Sequence, residues 1–543
     1  MPEGAAAFDA LAREFFAVWL RYRPEAALAA GLGDYGPLPA PQSDDDHAAL
    51  GSWLETLVVA LQELDHAALD RVRRLDAELL FALAVVEHRE LVERDWRHRD
   101  PLRYLPLADL HRLTLLRPAT LREDLLALLH AVPAHLRLAT TQLTPMAELI
   151  PPPLAMAAAR AAEAGPDYLR ALARSRWLRK HCHGSGEIEA AAETAATALR
   201  QYASALRNTI APRAAGPCGC GAEHLGFLLR RRHRLTVAPA DCTPLLEQLA
   251  HSLGDTGSPG MPSGTATTAG DGIGAECARQ EALLRERALF TLPVAPLRVA
   301  GGPACPGLGV DDRARGGLAA GALDAEGLGI DYVPDLIRGQ GTLYLADGAV
   351  PDTAQLAARC LALGWGGRHT LTFAGGMAAR SLPRLLAGGA SLTRGWHLSL
   401  LELLSAQGDR VTRPAAPYPP AVQPALLAAV DRAHLDLDLH LGRLGLADAR
   451  ARAATLGDAD QVLAALIQRP GDALAAVLGW RLIAAARRQV APDGDAAALR
   501  KLHDGLLAQG PIPVTAALAT VLGAGTADEL SAQHLGSAIA AGP

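Results

Sequence analysis

Three groups of residues in this sequence have the types and spacing to do chemistry. RKHCHGSG sets His181, Cys182 and His183 side by side, and PCGCGAEH adds Cys218, Cys220 and His224. Imidazoles and thiols are metal ligands when they converge. Neither stretch has the Cys-x2-Cys pairing of a structural zinc site, so polar loops are the plainer reading. Asp436, Asp438 and His440 lie in RAHLDLDLHLGRLG. A carboxylate beside an imidazole can hold a metal or move a proton. On a helix Asp436 and His440 stand four apart on one face, and a helix-stabilising pair is the plainer reading. The basic run Arg230 to Arg234, in LLRRRHRLTV, reads as a solvated helix end. No G-x-S-x-G elbow, Walker A loop or H-E-x-x-H occurs. GLGIDYVPD and AGGMAAR contain glycines without the strand, loop and helix order of a phosphate cradle, and read as turns.

The elements that must position these residues are mostly helices. Half of the 543 residues are apolar, and that surplus is alanine and leucine, with only 4% aromatic residues, which favours helix over strand. With 20% charged residues the chain has material for a large core and is not intrinsically disordered. The net charge of −6, without a basic stripe interleaved with aromatics, argues against nucleic acid as a partner. Seven cysteines, an odd number in a long chain, do not read as a disulfide framework, and a reducing cytoplasm is expected. The opening MPEGAAAFDALARE lacks the basic flank and apolar run of a signal peptide, so export is not expected. The longest uncharged stretch, PIPVTAALATVLGAGTA, contains two prolines and is too short to span a membrane.

Trp53, Leu54, Leu57, Val58, Leu61 and Leu64 form one apolar stripe at helical spacing. Pro24 and the GLGDYGPLPAPQ segment separate that helix from the first. Further helices are expected over 66–95, 107–115, 120–145, 152–178 and 186–208, and again from Thr353 almost to the C-terminus. ALFTLPVAPLRVA and GTLYLADG alternate as strands do, so a small sheet is expected in the middle of the chain, with the Gly- and Asp-rich stretch between them irregular. The stretch from Gly254 to Gly274 has almost nothing to bury and reads as a flexible insertion. The resulting division is an N-terminal helical region over 1–250, an insertion over 251–276 and a second region over 277–543.

The order of these segments resembles a bacterial family known as domain of unknown function 885, whose members look like zinc-dependent metallopeptidases of mainly helical fold. The likeness runs over about 8–540. FDALAREFFAVWLRYRPEAALAAGLGDYG matches the family's opening helix, proline and glycine turn, and RLDAELL and DPLRYLPLADL resemble two further segments. RAHLDLDLHLGRLG retains the Arg-x3-Asp-x3-His helix as Arg432, Asp436 and His440. RPGDALAAVLGW retains Pro470, Gly471, Ala473 and Leu474, and LRKLHDGLLAQGPIPV resembles the terminal helix and turn.

By resemblance, the family's zinc and general base sit in a His-Glu-x-x-Pro-Gly-His-His segment followed by Glu-Gly-Trp. In ALGWGGRHTL, Ala362 and Leu363 stand at the His-Glu, Arg368 and His369 at the two histidines; in TRGWHLSLLELL, Arg394 stands at the Glu, with Gly395 and Trp396 kept. Ala476 and Val477 replace a Tyr-Lys pair. Alanine and leucine offer no ligand, and guanidiniums repel a divalent cation, so zinc is expected to be absent and no cofactor is implied. The expectation is a mainly α, zincin-related fold with a small sheet, carrying a disabled site. Its function would be to bind an unknown partner protein or a small anionic ligand, with Arg368 and Arg394 facing one cavity and Glu402 as an internal counter-charge. The alternative is metal-independent hydrolysis by Asp436, His440 and His369.

Overall fold

The computed structural model describes residues 3–32, 38–182, 185–254, 272–303, 330–346, 353–376, 381–404 and 422–536. The chain enters through α1 (Glu3–Tyr22) and α2 (Pro24–Ala29), and Pro24 opens α2 at a position where its missing N–H costs nothing. Helix α3 (Asp44–Gln62) starts in a reciprocal cap: Ser43 Oγ accepts from the Asp46 amide at 3.1 Å while Asp46 Oδ2 accepts from the Ser43 amide at 3.2 Å. Asp70 caps α4 (Arg71–Arg89) from one side only, accepting from the Arg73 amide at 2.9 Å. The expected stripe holds: Leu54, Leu57 and Leu61 are buried with Phe15, Phe16 and Trp19. Leu385 and Leu386, from much later in the chain, close the same cluster.

Helices α5 (Leu107–Leu116), α6 (Leu121–Leu143), α7 (Pro152–Arg174), α8 (Arg176–His181) and α9 (Ser185–Ala205) follow, close to their expected bounds. Helices α6, α7 and α9 pack into one core, with alanines such as Ala158 and Ala162 on the buried face of α7 and Ala195 and Ala196 on that of α9, and mainly leucines on that of α6. Then come α10 (Ala222–Arg231), α11 (Cys242–Gly254) and α12 (Gly272–Arg287). Both bounding helices reach into the expected insertion, which narrows it from 251–276; residues 255–271 lie outside the described residues.

The mid-chain sheet has three strands, β1 (Leu297–Gly302), β2 (Ile330–Asp335) and β3 (Gln340–Ala346), in the order β1-β3-β2. β1 runs parallel to β3, with Ala300 opposite Tyr344, and β2 antiparallel to it, with Val333 opposite Thr342. β2 corrects the sequence reading, which took GLGIDYVPD for a turn. Pro334 hides the strand, and it is tolerated because β2 is an edge strand; Ile330, Tyr332 and Val333 are buried.

The remaining chain is again helical: α13 (Thr353–Leu363), α14 (Arg368–Phe373), α15 (Leu382–Leu386), α16 (Ala390–Leu404), α17 (Val422–His440), α18 (Leu446–Ala454), α19 (Ala459–Gln468), α20 (Asp472–Val490), α21 (Ala496–Leu507), α22 (Val514–Leu522) and α23 (Ala524–Leu535). Helices α16 and α20 lie at the centre. A Cβ on Gly395 would come within 2.8 Å of the Gly479 carbonyl carbon, and one on Gly479 within 1.8 Å of Ser391 O, so only glycine permits this approach. Trp396 beside it donates to Gly366 O at 2.9 Å and packs edge-on against Phe290. The Gly395-Trp396 pair is therefore a packing element. Core clusters draw from both sides of residue 250: Leu435, Leu463 and Ala473 join the α6, α7 and α9 cluster, and Leu79 joins that of α16 and α20. Among the described residues no single helix is long and apolar enough to cross a membrane.

Candidate functional site

Ala362, Leu363, Arg368 and His369, the residues singled out by resemblance, fall at the end of α13 and at the start of α14. Ala362 and Leu363 are buried. His369 is fully buried, and both of its nitrogens are engaged: Nε2 lies 2.9 Å from Ala295 O, which can only accept, so Nδ1 accepts from the Tyr332 hydroxyl at 3.1 Å. Trp365, Tyr332 and Phe373 surround the ring. Burial pushes its pKa down to about 4, so the imidazole is neutral. Arg368 is buried as well. It donates to Ala29 O at 3.0 Å, lies 5.4 Å from the centre of the Tyr332 ring, and leaves Nε without a partner. Burial, and then the charge of Arg112, push its pKa down to about 9.

These residues do not fit zinc. An alanine, a leucine, two arginines and a histidine whose lone pair already takes a hydroxyl proton supply no open ligand. Among the described residues no group of three or more His, Cys, Asp or Glu is placed to hold a metal ion.

Arg394, on α16, is close enough to Asp472 to influence its charge. Burial opposes ionisation of Asp472, but His233, Arg394 and Arg469 hold its carboxyl well below the usual range. His233 Nε2 lies 3.3 Å from Asp472 Oδ1, and the ring is fully buried. That corrects the reading of Arg230 to Arg234 as a solvated end: the helix stops at Arg231, and the chain turns His233 inward. Arg230 and Arg231 are exposed as expected, and Arg234 pairs with Glu78 at 2.7 Å. Glu402, the expected counter-charge of Arg394, pairs with Arg487 and accepts from Trp480 Nε1 at 3.2 Å. Eight residues along one helix separate its Cα from that of Arg394 by about 12 Å.

Asp436 and His440 are both fully buried on α17. Asp436 Oδ1 accepts from the Gly471 amide and Oδ2 from the amides of Ala473 and Leu474, each at 3.1 Å. It is a remote cap for α20, whose first turn would otherwise bury unpaired N–H groups. His440 accepts from the Cys220 amide at Nδ1, 3.2 Å, and its Nε2 lies 3.1 Å from Leu466 O and 3.3 Å from Asp436 Oδ1. Asp438 faces elsewhere and pairs with Arg452 at 2.7 Å. Arg432 is half-buried on the same helix. The cysteine and histidine stretches do not converge. Cys182 is buried, His181 Nδ1 is 2.8 Å from Trp177 O, and His224 pairs with Glu90 at 2.6 Å; His183 lies outside the described residues.

A cavity of 180 Å³ lies between α1, α2, α4 and α5 on one side and the starts of α16 and α20 on the other. Trp19, Tyr22 and Trp96 line it together with Arg23, Glu25, Glu87, Arg103, Arg232, Arg469 and Asp472. Most of these charges are already engaged. Arg23 pairs with Glu87 at 2.6 Å and Arg103 with Asp100 at 3.3 Å, and both guanidiniums lie near the Trp96 ring, at 5.9 and 5.0 Å from its centre. Arg368 and Arg394 are not among the lining residues. Sequence reasoning missed this cavity because its walls come from several separate stretches of the chain. The one local signal was Arg23-Pro24-Glu25, where two charges flank the proline that breaks the opening helix.

No family model matches this chain, and no curated protein matches it. Solved structures do. A protein from Colwellia psychrerythraea, described as a candidate lipoprotein, superposes over 97% of this chain and 100% of its own, with a TM-score of 0.69 at 14% identity. A candidate lipoprotein of unknown function from Shewanella oneidensis covers 94% of this chain and 98% of its own, with a TM-score of 0.62 at 13% identity. At such identities the likeness establishes the fold alone.

Proposed function

We propose that this chain is a ligand-binding protein built on a zinc-peptidase-like scaffold whose metal chemistry has been lost, and that it takes a small ligand with an anionic group into the cavity between its two halves. The observation that carries this reading is the cavity itself, where aromatic faces and guanidiniums converge. Small-molecule sites are typically apolar walls with a few placed polar groups, and this lining has that character. The metal-independent hydrolase reading finds less support. Asp436, His440 and His369 are all buried, and their polar atoms are used in caps and core contacts.

The test is a thermal-shift screen with small carboxylates such as benzoate and phenylacetate on the purified chain and on Ala108→Phe, which adds a ring to the cavity wall. A ligand at about 100 times its Kd stabilises by about 2.7 kcal/mol, enough to read as a clear shift. Stabilisation of the wild type that is lost in Ala108→Phe supports the reading. Equal shifts in both proteins, or none in either, contradict it.

A further inference from the structure

Two charged groups in the cavity wall stand apart from the rest. Among the described residues the Glu25 carboxylate and the Arg232 guanidinium have no side-chain partner in a hydrogen bond or ion pair, Glu25 being met only by its own backbone amide, although both are only half-exposed and both line the cavity. The other charges around them are committed: Arg23 to Glu87, Arg103 to Asp100, and Asp472 to His233 and Arg469. Two buried indole N–H groups, those of Trp19 and Trp96, also have no acceptor. A polar group in such a place costs free energy unless something binds it. Burial raises the pKa of Glu25, and the charge of Arg23, its own backbone amide and the charge of Arg103 only partly offset it. A cation brought to that carboxylate therefore recovers what burial takes away.

We infer that the cavity is a receptor for a small zwitterion, a molecule with an ammonium group for Glu25, a carboxylate for Arg232 and an aromatic or aliphatic body for Trp19 and Trp96. This rests on the proposed ligand-binding reading and names the chemical class. Two opposite charges without side-chain partners in one cavity match a ligand carrying both signs better than an anion, which would bring Glu25 no cation. The volume of 180 Å³ lies below the roughly 300 Å³ at which drug-sized sites begin, which limits the occupant to amino-acid size.

Isothermal titration with phenylalanine, phenylalaninamide and N-acetylphenylalanine separates the contributions, since the second lacks the anion and the third the cation. Phenylalanine should bind at least about tenfold more tightly than either capped form, the worth of one charge-assisted contact. Glu25→Gln should abolish its advantage over N-acetylphenylalanine, and Arg232→Gln its advantage over phenylalaninamide, while each variant keeps the wild-type circular dichroism spectrum. If N-acetylphenylalanine binds the wild type as tightly as phenylalanine does, the zwitterion assignment fails while the anion-binding reading stands. If simple carboxylates bind but none of these three does, the assignment fails as well. If no probe of either kind binds, both fall together.

Discussion

Asp436 gives the sharpest mechanical test, because an enzyme role and a structural role for it lead to opposite results. Its two oxygens hold the amides of Gly471, Ala473 and Leu474 at 3.1 Å, inside the protein. Asp436→Asn keeps one acceptor but turns an NH2 toward amides that can only donate, so at least one of the two edges of the cap becomes repulsive. An unsatisfied buried N–H costs about 1–3 kcal/mol, and the lost caps and charge together give about 3 kcal/mol. Hydrogen exchange measured by mass spectrometry on peptides covering 469–478 should then accelerate by about 150-fold, since 1.4 kcal/mol corresponds to a factor of ten. Exchange in α6 and α9 should stay near wild type, because opening of this kind is local. Unchanged protection of the α20 N-terminus in Asp436→Asn would refute the capping role and return Asp436 to the list of residues free to do chemistry.

The His224–Glu90 contact should make stability depend on acid pH. Burial opposes ionisation of Glu90, but His224 and Arg94 bring its pKa from 4.5 down to about 2, so its contribution is complete above pH 4.5 and lost as pH falls toward 2. The difference in denaturation midpoint between wild type and Glu90→Gln should shrink over that window, and a constant difference would disprove the linkage. The Asp76–Arg384 ion pair, 2.7 Å and buried on both sides, ties α4 to α15; Arg384→Met should cost about 3–5 kcal/mol in urea denaturation, whereas the double change to Leu and Met should recover much of it. His369 should show no titration between pH 5 and 8 by NMR, and Tyr332→Phe should leave it neutral; a midpoint near 6.5 would mean the ring is solvated. Cys242, whose thiol burial pushes up to about 12, and Cys360, raised by its contact with Cys277 and by burial, should resist iodoacetamide in the native protein, with the half-buried Cys220 reacting ahead of both. The reverse order would place these helices differently.

The helices were legible because each carries its own evidence: the stripe of Leu54, Leu57 and Leu61 on α3, and the cap at Asp70 ahead of α4. Two strands were legible from alternation. β2 was not, since Pro334 and the glycines before it are turn signals that an edge position overrides. Asp436 and His440 were correctly placed on one helix face. Their task was hidden because the groups they serve, the first turn of α20 and the Cys220 amide, are remote in sequence. The inward turn of His233 had the same cause: nothing near it in the chain announces Asp472. Arg394 was expected to face the same space as Arg368, yet its charge bears on Asp472 while Arg368 packs on Ala29 and Tyr332. Cavities built from distant stretches leave no local pattern, so Glu25 and Arg232 carried no mark of their shared surroundings.

The central claim is that the scaffold has exchanged metal chemistry for ligand binding, and its most direct test is the zinc content of the protein. The chain would be purified without chelator from cells grown with added zinc, and its metal measured by inductively coupled plasma mass spectrometry. On the proposed reading Ala362, Leu363, Arg368 and Arg394 stand in place of ligands and base, and zinc far below one ion per chain is expected. About one tightly held zinc per chain would contradict the claim.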